Sequence, residues 1–317
     1  MTWLIASFWL IGVLVTNISG VDKENGQKTP KLAFCDVGQG DATLISDGNW
    51  QALIDGGPDD SILYCLSQEM PTNDKTIELL VLTHADADHL SGFISILQSY
   101  QIKKILIDNT FKETTEFMKF YNLVWEKNKN NEIEIVSPVL AQFWCETEKI
   151  CLQILWHNPQ NLPEDIFSYK YEFSELSDML KKSYQNEIDY NYGSIVVNFT
   201  IDHKNVMITG DIDKAAELAI LEGGLIKKID VLKIAHHGSK TSSSIEFLTK
   251  TQPEFSVISA GRKNKFGHPN NDVLERLQTI KSQILRTDEL GTIHFSIKNG
   301  NLEPELVKQT NKWWMSW

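Results

Sequence analysis

Short apolar runs bounded by polar or turn residues recur along the chain and predict many buried strands. In the first half we predict strands at residues 32–37, 43–46, 51–54, 77–83, 102–107 and 152–156. In the second half we predict strands at residues 194–199, 206–209, 231–235, 255–259 and 292–296. The turn residues 47–49 (DGN) lie between two of these runs and predict a β-hairpin.

Apolar residues spaced three and four apart predict helices between these strands. The predicted helices lie at residues 91–100, 112–128, 214–222 and 271–280. Residues 160–190 are less regular and have some helical character. The succession of strand, helix and strand indicates βαβ units, and it occurs in both halves of the chain. We therefore expect an α/β fold in which two sheets pack together with helices outside.

The first 20 residues differ from this pattern and predict a secretory signal peptide or a short membrane anchor. Residues 3–15 carry no charge, although a bilayer span needs about 20 apolar residues. Residues 21–30 predict a linker, and residues 301–317 form a tail that contains three tryptophans. We expect an exported protein (periplasmic or extracellular) or a membrane-anchored one, with membrane contact only through the N-terminal segment. If that segment is not a signal, we expect the protein to be cytoplasmic.

The length of 317 residues allows one large domain, which we place at residues 31–300. The net charge of −12 at pH 7 does not favour stable binding of long nucleic acid, because such binding depends on basic side chains that neutralise phosphates. A phosphorylated small molecule or the end of a nucleic-acid strand remains a compatible partner. The oligomeric state is left open by the sequence.

The four cysteines do not form a CxxC pair, so a structural zinc knuckle is not expected. Cys145 and Cys151 flank a polar stretch between two apolar runs, where a disulfide across a hairpin is one interpretation. Buried free thiols are the other interpretation. Cys35 lies within a predicted strand and is expected in the core.

The segment 84–89 (HADADH) concentrates side chains that bind metal ions. It places His84, Asp86, Asp88 and His89 directly after a buried strand. Histidine offers nitrogen ligands and aspartate offers charged oxygen ligands. Two carboxylates and two imidazoles in an apolar setting are costly without a cation. The alternative, a polar surface loop, does not explain this concentration.

Further candidate ligands also follow predicted strands. Asp211 comes after the strand at 206–209, and His236 and His237 come after the strand at 231–235. A single Asp after a strand is weak evidence, since helix N-caps look the same. The adjacent histidines, followed by Gly-Ser, are stronger evidence. The residues thus predict an Asp/His cluster that holds one or two divalent metal ions.

Together these motifs resemble the metallo-β-lactamase fold, in its ComEC-type branch, the hydrolase-like domain of the bacterial DNA-uptake channel. The matching segments are 36–42 (DVGQGDA), 53–57 (LIDGG), 84–92 (HADADHLSG), 209–211 (TGD), 236–239 (HHGS), 267–269 (GHP) and 286–288 (RTD). Phosphorylcholine esterases of the same branch are also similar. The resemblance covers nearly the whole chain after the leader and implies a four-layer αββα sandwich with a metal site at one edge between the sheets.

The resemblance also implies a division of ligands between two metals. Those ligands are His84 and Asp86 for the first metal, Asp88 and His89 for the second, Asp211 between them, and His237 or His236 completing the second site. It implies a structural role for Asp55. Two departures matter: Asp86 stands where the family commonly has His, and residues 191–194 (NYGS) lack a further His. The first site therefore has harder ligands, so manganese competes with zinc as the expected metal.

The expected chemistry is hydrolysis by a metal-bound hydroxide, because metal binding lowers the pKa of water. We predict Asp88 and His268 as catalytic residues, with His268 donating a proton to the leaving group or binding phosphate. A simple turn histidine before Pro269 is the alternative for His268. Asp41 is a further candidate for the site, whereas Asp36 is expected to be structural. A basic rim for phosphate, or alternatively a solvated charge run, is formed by Lys240, Arg262, Lys263 and Lys265.

Three functions are compatible with this sequence. A phosphodiesterase acting on nucleic-acid ends, nucleotides or phosphorylated headgroups fits in-line attack by hydroxide best. A hydrolase of another ester or amide, including a β-lactam, is the second, although Asp86 and the missing histidine are atypical of a lactamase. A non-catalytic metal-binding or partner-binding module is the third.

Overall fold

The computed structural model describes residues 29–109, 111–157, 166–183, 191–298 and 300–305. The predicted leader (1–20), most of the predicted linker (21–30) and the tryptophans of the tail lie outside these residues. Within the described part of the chain, no helix is both long enough and apolar enough to cross a membrane.

The strands lie close to the predicted apolar runs. The first eight are β1 (Lys31–Phe34), β2 (Thr43–Asp47), β3 (Trp50–Ile54), β4 (Thr76–Val81), β5 (Gln101–Leu106), β6 (Glu134–Val136), β7 (Phe143–Cys145) and β8 (Ile150–Trp156). The others are β9 (Val196–Ile201), β10 (Lys204–Ile208), β11 (Val231–Lys233), β12 (Phe255–Ile258), β13 (Gln283–Arg286), β14 (Ile293–Lys298) and β15 (Asn301–Glu305).

These strands form two sheets. The first has eight strands in the order β15-β14-β1-β2-β3-β4-β5-β6, and the second has seven in the order β13-β12-β11-β10-β9-β8-β7. In the first sheet β3, β4, β5 and β6 are parallel. In the second, β10, β11, β12 and β13 are parallel. Parallel strands end at the same edge of a sheet, which is where residues following them can meet.

Helices cover the outer face of each sheet. They are α1 (Ser61–Glu69), α2 (Ala87–Ser99), α3 (Thr115–Lys129), α4 (Phe173–Ser183), α5 (Lys214–Gly223), α6 (Ile245–Thr251), α7 (Asn271–Thr279) and α8 (Thr287–Leu290). Phe34 and Phe199 belong to the core between the sheets. Phe93 belongs to the core under α1 to α4, and Leu248 and Leu277 to the core under α5 to α7. The result is the predicted four-layer αββα sandwich.

The start of α2 differs from the prediction. The helix begins at Ala87 rather than at residue 91, with Asp86 as its N-cap residue in an extended conformation. Asp88 and His89 therefore lie in the first helical turn and not in a loop. The apolar periodicity does not show this turn, because its side chains are ligand candidates rather than core residues.

Several short elements were not predicted. The helices α1 and α6 have only nine and seven residues, so their apolar spacing is hard to recognise. The strand β15 pairs with β14 and extends the first sheet to Glu305. The first sheet therefore includes residues 301–305, which the sequence analysis assigned to the tail.

Both cysteine pairs form disulfides. Cys145 and Cys151 join β7 to β8, which confirms the hairpin disulfide rather than buried free thiols. Cys35 is buried as expected, but it also forms a disulfide with Cys65 of α1, which the sequence did not indicate. This second bond ties α1 to the end of β1, just before the loop that carries Asp41.

Candidate metal centre

Three strand ends bring most of the predicted ligands to one place. His84 follows β4, Asp211 follows β10, and His237 follows β11 in a short 3-10 turn, Ala235–Gly238. His89 lies in the first turn of α2 and is fully buried. All four side chains are at most 5% exposed, so the cluster is removed from bulk water.

Asp55, at the end of β3, holds the histidine motif in position. Its carboxylate accepts hydrogen bonds from the backbone N and the Oγ1 of Thr83, both at 2.8 Å. It also lies 2.8 Å from Nδ1 of His89. Because Asp55 engages Nδ1, the Nε2 atom of His89 is left to face the cluster. These contacts fit the structural role that the resemblance implied for Asp55.

The backbone at the start of α2 lies very close to the backbone of the loop after β3, and glycines allow this contact. The backbone N of Gly92 in α2 donates to the carbonyl of Gly57 at 3.0 Å, and that of Gly56 donates to the carbonyl of His89 at 2.7 Å. A Cβ at Gly92 would collide with the Gly56 carbonyl oxygen. The first turn of α2 can therefore pack directly on the loop after β3, which sets the position of His89.

Among the described residues, the candidate ligands form four overlapping groups, of which two include Asp41 and two consist only of predicted metal ligands. His84, His89 and Asp211 make one, and Asp88, His89 and His237 make the other, with the ligand atoms of each group within 4.8 Å of one another. Nε2 of His89 is 3.3 Å from Oδ1 of Asp211. Nε2 of His237 is 3.3 Å from Oδ2 of Asp88 and 3.6 Å from Oδ2 of Asp211. Asp211 contacts both groups, as a ligand shared between two positions would.

The residues present fit a divalent metal ion. Nε2 of His84, His89 and His237 and Oδ1 of Asp211 are buried atoms that have no hydrogen-bond partner among the described residues. Buried polar atoms of this kind are costly and rare in folded proteins. A cation among them satisfies these atoms together, and a mixture of imidazole and carboxylate suits zinc or manganese.

The structure distinguishes the two adjacent histidines. His237 is 2% exposed and faces the cluster, with Nδ1 lying 3.0 Å from the carbonyl oxygen of Ser259. The side chain of His236 is 26% exposed, and its Nε2 is 3.8 Å from Oδ2 of Asp211. Both histidines have positive φ, 51° and 52°, a conformation that is uncommon for residues other than glycine. This backbone turns His237 inward and leaves His236 at the rim.

Charge and burial set the protonation of the cluster. Burial would raise the pKa of Asp41, but Lys233 and His237 lower it to about 2. Burial would lower the pKa of His237, but Asp211 and Asp41 raise it to about 10. Burial also opposes the charge of Asp211, whose pKa is nevertheless held well below its usual value by His237 and His89. These carboxylates stay ionised at neutral pH, and the negative potential that attracts protons to His237 also attracts a divalent cation.

Lys233 and Asp41 belong to the centre, and the sequence analysis missed the lysine. Lys233 is fully buried at the end of β11, and its Nζ forms an ion pair with Asp41. Nζ also donates to the carbonyl of Gly210 at 3.2 Å and lies 3.8 Å from Oδ1 of Asp211. A lysine in an apolar strand three residues before the histidine pair was the available signal, since buried lysines need a charged partner.

Asp86 takes a different place from the other predicted ligands. Its Oδ1 is 3.9 Å from Nε2 of His84, and the same oxygen forms an ion pair with Lys112. The Asp86 side chain is 30% exposed, in contrast to the buried members of the cluster. The structure therefore brings Asp86 to the edge of the centre, and its role as a metal ligand stays a prediction.

His268 lies beside the histidine pair. Its ring centroid is 5.7 Å from that of His236 and 6.4 Å from that of His237. The ring is partly buried, and Nδ1 is a buried atom without a hydrogen-bond partner in the described residues. Burial, followed by the nearby His236 and His237, lowers the pKa of His268. The predicted catalytic residue is thus adjacent to the cluster, although its role remains a prediction.

An αββα sandwich with an Asp/His centre at the strand ends is the arrangement of the metallo-β-lactamase fold. The family model described as the metallo-β-lactamase superfamily matches residues 35–262, and the chain belongs to this superfamily. The solved structure of the metallo-β-lactamase fold protein YhfI from Bacillus subtilis superposes with a TM-score of 0.51 at 11% identity. That comparison covers 88% of this chain and 100% of YhfI, and it shows the shared fold.

Curated relatives place the chain more narrowly. ComE operon protein 3 of Bacillus subtilis is 30% identical over 225 residues, which cover 71% of this chain and 25% of the relative. Competence protein ComA of Neisseria gonorrhoeae is 24% identical over 96% of this chain and 38% of the relative. Recombination protein 2 of Haemophilus influenzae is 27% identical over 89% of this chain and 30% of the relative. These relatives confirm the ComEC-type branch, and the chain spans well under half of their length.

Proposed function

We propose that this chain is a metal-dependent phosphodiesterase that acts on nucleic-acid ends, nucleotides or phosphorylated headgroups. The observation that carries the proposal is the set of buried, unpartnered ligand atoms on His84, His89, His237 and Asp211. Members of the superfamily are generally metal-dependent hydrolases, which supports the same reaction class. We further propose one or two zinc ions, or manganese, as the metal.

A divalent cation bound by this cluster supplies Lewis acidity for a phosphoryl oxygen and lowers the pKa of water. The chain's own residues orient the ligands for that role. Asp55 lies at Nδ1 of His89, and the Ser259 carbonyl lies at Nδ1 of His237. Fixing Nδ1 in this way directs each Nε2 into the centre and limits ring rotation. The cluster is thus organised before a substrate arrives.

His268 supplies the proton of the leaving group in this proposal. Because the pKa of His268 is lowered from 6.5, the protonated ring that can donate is the minor form at neutral pH, and its contribution to turnover should grow as the pH falls. The ring of His268 lies directly beside the rings of His236 and His237, at the edge of the centre.

We also propose that the chain works in an oxidising compartment, either exported or held at a membrane. All four cysteines are paired in two disulfides. Disulfides persist outside the reducing cytoplasm and are rare inside it. Thiol labelling of the protein taken directly from cells tests this location, and four reactive thiols after denaturation would contradict it.

The catalytic proposal is tested with purified protein loaded with zinc or manganese. Elemental analysis gives the metal content, and bis-nitrophenyl phosphate, labelled single-stranded DNA and nitrocefin serve as substrates. The test variant is Asp88→Asn, which removes a ligand charge without changing the side-chain shape. The matched control is Asp272→Asn, an exposed carboxylate in the first turn of α7.

We expect turnover of the phosphodiesters that is lost in Asp88→Asn and retained in Asp272→Asn. Turnover of nitrocefin alone would contradict the phosphodiesterase assignment and favour amide hydrolysis. A metal-loaded protein that turns over none of the substrates would favour a non-catalytic binding module. A protein that takes up neither zinc nor manganese would contradict the metal centre itself.

A further inference from the structure

Residues 261–268 (GRKNKFGH), which we name the 261–268 loop, connect β12 to α7 beside the metal centre. Phe266 in this loop is 70% exposed, although large aromatic side chains are usually buried. Its ring stacks against His268, with centroids 5.8 Å apart and an interplanar angle of 26°. His268 in turn contacts His236 and His237, so the ring of His268 lies between the exposed Phe266 ring and the metal centre.

The loop holds Phe266 in place without burying it. The side-chain nitrogen of Asn264 donates to the carbonyls of Gly261 at 2.8 Å and His268 at 2.7 Å. The backbone N of His268 donates back to Asn264 at 2.9 Å. The loop is anchored to the metal-site side of the fold where Gly261 N donates to the Gln39 side chain at 3.0 Å. An aromatic ring fixed in this way is available to a ligand at a small entropic cost.

The same loop carries positive charge in an acidic protein. Arg262, Lys263 and Lys265 are all exposed, while the whole chain has a net charge of −12. Arg262 lies 3.9 Å from the carboxylate of Asp36. Within the described residues, Lys263 and Lys265 form no ion pair. These two lysines, which flank Asn264 and lack an acidic partner among the described residues, form a local site for anionic groups.

We propose that the 261–268 loop is a nucleotide subsite, in which Phe266 stacks on a base and Lys263 and Lys265 contact the flanking phosphates of a single strand. Exposed aromatic rings next to cationic side chains are the usual means by which proteins hold single-stranded nucleic acid. The inference rests on the proposed phosphodiesterase function and names the substrate class that the loop selects. The stacking of Phe266 on His268 places this subsite next to the metal centre.

The first experiment measures binding separately from hydrolysis. The probe is a fluorescently labelled oligothymidylate in the presence of EDTA, and an abasic oligonucleotide of equal length serves as a second probe. We expect Phe266→Ala to weaken oligothymidylate binding about five- to 150-fold, the range for loss of one stacked base. Binding of the abasic probe should not change, and Phe266→Trp should restore the affinity for oligothymidylate.

The lysines are tested through salt dependence. We expect the double variant Lys263→Gln, Lys265→Gln to weaken both probes and to reduce the slope of log affinity against log salt by about 1.4, since each single-strand phosphate contact contributes about 0.7. The matched control for Phe266→Ala is Phe143→Ala. It removes a similarly exposed ring (57%) from β7 at the edge of the second sheet. That control should bind both probes like the unchanged protein.

Hydrolysis then separates failure of the subsite from failure of the proposed function. We expect Phe266→Ala to raise KM for the oligonucleotide, whereas the control Phe143→Ala should leave KM for the oligonucleotide and turnover of bis-nitrophenyl phosphate unchanged. Equal binding of oligothymidylate by Phe266→Ala and the unchanged protein would overturn the subsite, whatever the activity. If Phe266→Ala instead loses binding to anionic phospholipid vesicles and keeps its binding of oligothymidylate, the loop belongs to a membrane-binding surface. That result would also overturn the nucleotide subsite. Absence of all phosphodiester turnover, with base-dependent binding intact, would contradict the enzymatic proposal alone.

Discussion

Replacing Lys233 by methionine tests how the centre balances its charges. The ammonium of Lys233 is fully buried, pairs with Asp41 and lies 3.8 Å from Asp211. Methionine keeps most of the side-chain volume but removes the ammonium, so that only His237 and His89 oppose the charges of these carboxylates. Because the pKa of Asp41 is about 2 and that of Asp211 is well below its usual value, the loss of Lys233 exposes each carboxylate to the repulsion of the other.

The expected loss of stability is large. Removing one partner of a buried ion pair costs about 3–5 kcal/mol of unfolding free energy. At about 2–4 °C per kcal/mol for domains of this general size, Tm in EDTA should fall by about 6–20 °C. A divalent cation replaces part of the missing positive charge, so the variant should gain more Tm from zinc than the unchanged protein gains. Ligand binding at about 100 times Kd contributes about 2.7 kcal/mol, which sets the scale of that gain.

Thermal unfolding followed by circular dichroism, in EDTA and in zinc, measures both effects. The control is Lys104→Met, because Lys104 pairs with Glu146 at 3.6 Å while its side chain is 39% exposed. Exposed pairs contribute about 0–1 kcal/mol, so this control should change Tm little. If Lys233→Met lowers Tm in EDTA no more than Lys104→Met does, the buried pair is not a stabilising part of the centre and the reasoning fails.

Two further predictions concern protons and metal count. Burial opposes the charge of His237, yet Asp211 and Asp41 raise its pKa from 6.5 to about 10. The proton on His237 therefore stabilises the metal-free protein. This stabilisation is fully present below pH 6.5 and is lost as the pH rises through about 10. Urea unfolding in EDTA across that range should show the decline, and a flat profile would refute it. Because Lys112 pairs with Asp86, Lys112→Met should free that carboxylate and raise the metal-to-protein ratio measured by elemental analysis. An identical ratio in the variant would show that the ion pair does not limit metal binding.

Much of the fold follows from the sequence because strand-forming runs and ligand residues occur in alternation. His84, Asp211 and His237 each follow an apolar run, and the observed strands end just before them. That pattern is sufficient to predict parallel strands with a shared edge. It does not distinguish His236 from His237, because the difference lies in their positive φ values, which the residue types do not indicate.

Other features depend on distances that only the folded chain provides. The disulfide Cys35–Cys65 joins a strand to a helix 30 residues later, and neither flank has a pattern that marks the pair. The ion pair of Lys233 with Asp41 links β11 of the second sheet to the loop between β1 and β2 of the first sheet, so it depends on how the sandwich packs. A buried lysine in a strand indicates that a partner exists, but it does not indicate which carboxylate that partner is.

The charges of the centre explain why the chain would bind a metal even though it already contains a buried lysine. Asp41 and Asp211 stay ionised, and Lys233 supplies one positive charge between them. His237 can add a second only by holding a proton, which its raised pKa permits. A divalent cation brings two charges to the same region and converts His237 from a proton carrier into a neutral ligand. Metal binding should therefore release protons and strengthen with pH, whereas the ion pair of Lys233 with Asp41 persists in both states.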